Sequence, residues 1–388
     1  MSTQELDREY IASTYARFGV TFVRGEGACL FDENGKRYID MGAGIAVSAL
    51  GYGDEEWVNA VSAQAATLAH ASNLYYTQPQ ARLAELLCQR SGMAKVFFGN
   101  SGAEANECAI KVARKYAADK YGEGARPVVL TLQNSFHGRT LATLAATGQD
   151  AFHHTFGPFP EGFAHVPPND VAALRKALSA GNVCALLMET IQGEGGVCEL
   201  DAAYIQAARE LTQQHDALLM IDEVQTGNGR TGKLFSYQSF GVLPDVVTTA
   251  KGLAGGLPMG ACLLGEKVAD TFTPGSHGST FGGNPICAAG ALVVQKRLTD
   301  ELLAEVVQKG EYVKRELSAL PNVQSVTGRG LMLGVASDRD AGALVKALLA
   351  RGVVTLTAKT KLRLLPPLVI SWDELAQAID IIKEELQK

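Results

Sequence analysis

The stretch Ala217-Leu-Leu-Met-Ile221-Asp222-Glu223-Val224-Gln225 sets five apolar residues directly before two carboxylates and an amide. An unbroken apolar run of this length suits a strand covered on both faces, not the in-out alternation of a half-exposed one. The chain repeats the device at Val128–Leu132, Cys184–Met188, Val246–Thr249 and Ala261–Leu264, with a further short strand expected at Lys95–Phe98. Helix-compatible segments lie among them, at 55–70, 80–91 and 103–121. Buried strands alternating with helices predict an α/β fold, a mostly parallel sheet with helices on each side. Ligands of such sheets bind beyond the carboxyl ends of the strands, so the residues just after each run are the ones to read for chemistry.

The two ends of the chain read differently. Strand-like Ala28–Asp32 and Arg37–Met41 flank Glu33-Asn34-Gly35-Lys36, and the Asn-Gly pair predicts a hairpin whose primed turn needs positive φ at both central residues. After about residue 290 a long amphipathic helix is expected to lead into an α+β tail, and Ser371-Trp-Asp-Glu374 reads as a capping box opening a last helix at 372–387. The expected organisation is a large domain at 49–296 and a smaller α+β domain built from 1–48 and 297–388.

Composition narrows the class. The 388 residues are 47% hydrophobic and 20% charged, as in a globular enzyme, and a net charge of −6 with no basic cluster argues against a nucleic-acid partner. No apolar run approaches the roughly 18 residues of a membrane span, and the acidic start Met1-Ser-Thr-Gln-Glu-Leu-Asp7 is not expected to be a signal peptide. Seven scattered cysteines, none in a Cys-x-x-Cys pair, point to reduced thiols in a cytoplasmic protein without a zinc site or disulfide framework.

Four strand ends carry polar constellations, each with an ordinary reading beside the chemical one. Asn100-Ser101-Gly102-Ala103 runs straight into a helix and offers free N–H groups to a phosphate, or is a plain Ser/Gly helix start. Phe136-His137-Gly138-Arg139 joins an aromatic that can cover a planar ring to an arginine that can hold a carboxylate, or is a surface loop. Asp222 places a costly carboxylate at the floor of the crevice, where a protonated pyridine nitrogen, a metal or a structural arginine would satisfy it. Lys251, after Thr248-Thr249-Ala250 and before Gly252, is either a solvated cap or an amine desolvated for imine chemistry. Gly227-Asn-Gly229-Arg-Thr-Gly232 matches a dinucleotide fingerprint only superficially, because it neither follows its strand at once nor opens a helix.

Taken together the blocks resemble the class III (ω-amino acid) aminotransferases of pyridoxal-phosphate fold type I, over nearly the whole chain. The stretches that carry the resemblance are Ser101-Gly-Ala-Glu-Ala-Asn106, Ser135-Phe-His-Gly-Arg139, Glu189-Thr-Ile-Gln-Gly-Glu194, Asp222-Glu-Val-Gln-Thr-Gly, Thr249-Ala-Lys-Gly-Leu253 and Gly278-Ser-Thr-Phe-Gly-Gly-Asn-Pro285. The resemblance implies pyridoxal 5'-phosphate as cofactor, with Lys251 as the Schiff-base lysine and general base and Asp222 paired to the pyridinium nitrogen. It implies Gln225 at the ring's phenolic oxygen, Phe136 and Val224 on its two faces, His137 beside it, and Ser101, Gly102 and Ala103 at the phosphate. Thr280 would reach the phosphate of a neighbouring subunit, implying a homodimer with shared sites.

Within the family the chain is most similar to the branch that exchanges an amino group between N2-acetylornithine and 2-oxoglutarate, with glutamate as product, in arginine biosynthesis. That likeness implies Arg139 at the substrate α-carboxylate, Arg363 at the α-carboxylate of 2-oxoglutarate, Glu194 as the switch that pairs with Arg363, and Ser279 near the substrate. Ile45 stands where ornithine-specific relatives carry tyrosine, which favours an N-acylated amine. Succinylornithine, N-succinyl-diaminopimelate, ornithine and 4-aminobutyrate are the alternative substrates. Ala103 and Asn228 depart from the family's usual threonine and apolar residue.

Overall fold

The computed structural model describes residues 1–388. Seven strands form its main sheet, in the order Lys95–Gly99, Gly260–Leu264, Val246–Thr249, Leu218–Asp222, Val183–Met188, Val128–Leu132, Phe163–Val166. The last five strands in this order pair parallel with their neighbours. Only Gly260–Leu264 runs antiparallel to the strands beside it. The central strands are buried at every residue, which is why their sequences are continuously apolar. Phe163–Val166 escapes the sequence reading because it is a short edge strand whose His165 interrupts the apolar run.

Helices close both faces. The longest, Gly102–Tyr121, packs against the sheet through small residues (Ala105, Cys108, Ala109, Ala113). Ser101 caps its start by accepting the Glu104 N–H, and Gly122 ends it at φ +97°. No helix is long and apolar enough to cross a membrane.

The ends of the chain build two further sheets. Phe22–Glu26, Cys29–Asp32 and Arg37–Asp40 form an antiparallel ladder that Val353–Val354 joins in parallel, so the amino-terminal hairpin and the tail share a sheet. Val323–Arg329, Met332–Ser337, Lys361–Leu364 and Leu356–Ala358 form an antiparallel sheet. The hairpin turn differs from the primed turn expected. Gly35 takes φ +79° while Asn34 does not have positive φ. The Asp32 carboxylate accepts the N–H groups of Asn34 and Lys36, which makes a wider turn with glycine alone in the left-handed position. The stretch after residue 290 is two helices, Pro285–Arg297 and Asp300–Ser318, the second capped by Thr299. Ser371 and Glu374 form the expected capping box for Trp372–Leu386.

Arg230 ties the main sheet to the carboxyl-terminal one. It is 2% exposed and donates from Nη1 to the carbonyls of Leu331 (3.0 Å) and Pro366 (2.5 Å). The loop after Asp222 is thereby fixed to the chain just beyond Arg363.

Candidate active site

A cavity of about 420 Å³ opens where the parallel strands end, lined by residues of Asn100–Ala103, Phe136–Arg139, Asp222–Gln225 and Ala250–Lys251 together with Val47, Asn106, Glu189, Glu194 and Gly256–Met259. Four loops far apart in sequence therefore meet because each follows its own strand.

Asp222, 3% exposed, is the last residue of its strand. Its Oδ2 accepts from His137 Nδ1 (2.8 Å) and Asn106 Nδ2 (2.8 Å), and its Oδ1 from the Val224 N–H (2.9 Å). An ionised carboxylate only accepts, so the His137 proton on this side is on Nδ1. A carboxylate offers about four acceptor positions, and one remains for a further donor. Asn106 is itself fixed, its Oδ1 accepting from the Thr248 hydroxyl (2.7 Å). His137 Nε2 is buried with no partner in the protein.

Lys251 follows the Val246–Thr249 strand at φ +47°, a left-handed conformation that side chains disfavour. Beneath it lies Asn228, whose Nδ2 donates to Thr249 Oγ1 (2.8 Å) and to the Ala250 carbonyl (3.2 Å) while its Oδ1 accepts from Gln295 (3.2 Å). The polar departure at 228 is thus fully satisfied and braces the strained turn. Burial lowers the Lys251 ammonium below its ordinary value, with the Glu194 carboxylate opposing that fall. A neutral amine is a nucleophile and a base, which an ammonium is not.

The amino terminus of the Gly102–Tyr121 helix also lines the cavity, and its first N–H groups have no partner inside the helix and carry about half a positive charge. A Cβ at Gly102 would stand 2.7 Å from Val224 Cγ1, so any larger residue would push into the cavity wall. Ala103 brings no hydroxyl, which leaves backbone N–H groups and Ser101 to meet an anion.

One arginine, Arg139, lines the cavity, and a second, Arg363, is paired to the lining Glu194 and Gln225. Arg139 is exposed and makes no hydrogen bond or ion pair within the chain; its guanidinium lies 4.1 Å from the Phe152 ring centre and 5.5 Å from that of Phe136. Arg363 is 3% exposed, donates to Glu194 Oε1 (2.5 Å) and Gln225 Oε1 (3.3 Å), and leaves Nε unpartnered. Burial would raise the Glu194 carboxyl, but the Arg363 guanidinium overrides it and holds the carboxyl below its ordinary range.

Ser279 and Ile45, expected near the substrate, lie outside this cavity, as does Thr280, which was expected at a neighbouring subunit's phosphate. Ser279 and Thr280 line a separate hollow with Phe97, Asn100, Glu104 and Lys111, and Ser279 Oγ accepts from Asn100 Nδ2 (3.2 Å). Ile45 is 41% exposed, and Val47 takes the place in the cavity wall. Ile45 belongs to a left-handed turn in which Ala43, Gly44, Ile45 and Ala46 all have φ between +47° and +68°. The Asp40 carboxylate holds its start, accepting the N–H groups of Gly42 (2.8 Å) and Ala43 (2.9 Å).

Sequence reading gave no role to Glu189, Asn106, Val47 or Phe152. Glu189 and Asn106 stood inside quoted motifs, and their position one residue past a strand or one turn into a helix was the available signal. Phe152 gave none, because its approach to Arg139 depends on the loop fold.

The residues suit a planar, phosphorylated pyridine aldehyde: an unused acceptor on Asp222 for a ring N–H, an unpaired amine at Lys251, an aromatic at Phe136, and a helix amino terminus for a dianion. The comparisons agree. Residues 10–386 match the sequence family described as Aminotransferase class-III. The acetylornithine aminotransferase of Haemophilus ducreyi is 51% identical over 99% of this chain and 98% of its own. A solved ornithine aminotransferase from Toxoplasma gondii, whose description reports partial occupancy of PLP at its active site, superposes with a TM-score of 0.92 at 33% identity, covering 99% of this chain and 93% of that one. The N-acetylornithine aminotransferase from Stenotrophomonas maltophilia superposes at 0.86 with 37% identity, covering 99% and 98%. The chain belongs to the class III aminotransferase family. It is a transferase dependent on pyridoxal 5'-phosphate.

Proposed function

We propose that the chain moves the δ-amino group of N2-acetyl-L-ornithine to 2-oxoglutarate, releasing glutamate, as a step of arginine biosynthesis. The observation that carries this reading is the buried Arg363 held by Glu194, a residue that lines the same cavity as Arg139. This reaction takes two substrates of unlike charge in turn, one with a single carboxylate and one with two. With Glu194 on Arg363, only Arg139 offers a free guanidinium, which suits one α-carboxylate and a neutral acyl group. When Glu194 swings away, Arg363 is released for the α-carboxylate of glutamate or 2-oxoglutarate, and Arg139 is left for the other carboxylate.

When bound, pyridoxal phosphate supplies a ring that accepts the electron pair released at the reacting carbon. Asp222, fixed by His137 and Asn106, holds the proton at the ring nitrogen. Lys251 Nζ, whose charged form burial disfavours, would take the proton from the carbon that bears the amino group and return it on the other side of the transfer. A positioned base of this kind contributes about 10²–10⁴-fold. Phe136 and Val224 would flank the ring, Gln225 would meet its phenolic oxygen, and Ser101, Gly102 and Ala103 would hold the phosphate.

The reading includes a cytoplasmic homodimer with shared sites. The free state of all seven cysteines supports the compartment. Thr280, outside its own cavity, lies next to exposed Phe281, while Leu74, Tyr75 and Tyr76 expose further apolar surface on the segment 74–76, as an interface does. A division at residues 48 and 296 is supported by the main sheet lying wholly between Lys95 and Leu264.

A substrate panel tests the assignment. The expected order of kcat/KM is acetylornithine above ornithine by at least about tenfold, the size of effect an apolar wall can exert. Equal or higher values for free ornithine would overturn the role of the Ile45 region.

A further inference from the structure

Glu189 directly follows the Val183–Met188 strand, lines the cavity, and is 5% exposed. Its two oxygens serve two loops. Oε2 accepts the Phe136 N–H (3.0 Å), at the head of the loop that carries His137 and Arg139, and Oε1 accepts the Gly193 N–H (3.2 Å), next to Glu194. Gly193 has no slack on its other side, for a Cβ there would stand 2.3 Å from Gln225 Oε1. Gln225 in turn contacts both Glu194 and Arg363. A shift at Gly193 therefore reaches the whole latch.

Residue chemistry explains why a carboxylate is kept in so costly a place. Glutamine of equal length accepts through one oxygen, and its amide nitrogen would face the second N–H donor to donor. Aspartate accepts twice but is one methylene too short to span both loops.

We propose that Glu189 is a positioning residue that couples the Phe136–Arg139 loop to the Glu194–Arg363 latch, so that the two carboxylate sites respond to one another. Burial also pushes the Glu189 carboxyl up to about 7, with Asp222 adding to the rise and His137 and the two N–H donors opposing it. This inference deepens the proposed function and rests on the reading of Glu194 as a latch.

The experiment has two arms. In the apoenzyme, hydrogen exchange read by mass spectrometry compares peptides over 134–140 and 190–197 in the wild type, Glu189→Gln and Glu189→Asp. Glu189→Gln is expected to speed exchange in both segments together by about tenfold or more, and Glu189→Asp to spare at most one of them. Faster exchange in one segment only, or in neither, overturns the proposal. In the loaded enzyme, single-turnover rates with glutamate and with acetylornithine complete a cycle of Glu189→Gln, Glu194→Gln and the double variant. The double variant is expected to fall short of the product of the single effects by about threefold or more. Effects that multiply overturn the coupling. A silent Glu194→Gln together with paired loosening in the exchange arm would remove the latch reading and with it the coupling of the two carboxylate sites, whereas multiplying effects beside an active Glu194→Gln would overturn the coupling alone.

Discussion

Arg139 and Arg363 are the same side chain held in opposite ways. Arg139 lies open to solvent over two aromatic rings with no polar partner, while Arg363 is buried and locked to Glu194 and Gln225. The first pays little to meet a carboxylate, because nothing must be displaced. The second requires an ion pair in a poorly solvated place to break, and a ligand must replace what Glu194 gave. On the proposed reading one site is thus always ready and the other conditional, which would let a single cavity accept substrates of different charge.

The largest effect expected from breaking this asymmetry comes at the conditional site. Arg363→Lys keeps the charge but loses the planar fork. It should cut the glutamate half-reaction by about 10²–10³-fold, the range for disturbing a buried charge pair. The acetylornithine half-reaction should fall by less than about tenfold, as separate single-turnover rates would read. Equal losses in both would mean that the two arginines do not divide the substrates.

A second effect concerns stability and belongs to the carboxyl that bridges the two sites. The Glu189 carboxyl is raised from the ordinary 4.5 to about 7, so the folded apoenzyme binds more protons than the unfolded chain between these values. Stability through this group is therefore greatest at low pH and falls as pH rises from 4.5 to 7, by up to about 3 kcal/mol. Urea midpoints of wild type and Glu189→Gln, compared across that window, should converge at the acid end and separate towards neutrality. A constant difference would refute it. Glu194 has the opposite sign, for its lowered carboxyl contributes stability above the ordinary carboxylate value that is lost as pH falls through its own.

The smallest effect lies at the open site. Phe152→Leu removes the ring under Arg139, and an exposed cation–π contact is worth about 0.5–1 kcal/mol. The KM for acetylornithine should rise about two- to fivefold with kcat nearly unchanged, and Phe152→Tyr should restore it. A loss in kcat instead would place Phe152 in the chemistry and not in holding Arg139.

The comparison also marks where sequence reading reaches and stops. Lys251, Asp222 and Arg139 stood out as candidates because each lies at or beyond the end of a buried strand, whereas their roles, and that of Gln225, came through the family resemblance. The pairing of Arg363 with Glu194 came through family resemblance, since nothing local to Lys361-Leu-Arg-Leu announces a partner 169 residues away. Glu189 and Phe152 act through contacts between loops, and those depend on how loops settle after the sheet has formed. The edge strand Phe163–Val166 was missed because it is covered less than the central strands and so lacks their pattern. At Glu33-Asn34-Gly35-Lys36 the sequence motif predicted the wrong turn, because Asp32 competed for the loop's N–H groups.

The left-handed turn at Ala43–Ala46 has a consequence for anyone selecting hardier variants of this enzyme. Three of its four residues are not glycine, and each such residue costs about 1–2 kcal/mol in that conformation. A search scored on thermal survival alone will tend to return glycine at 43, 45 and 46 among its first winners, since the folded state would shed strain there. Those same winners would loosen a wall of the substrate cavity next to Val47, so the cheapest gains in durability are the ones to screen first for lost selectivity.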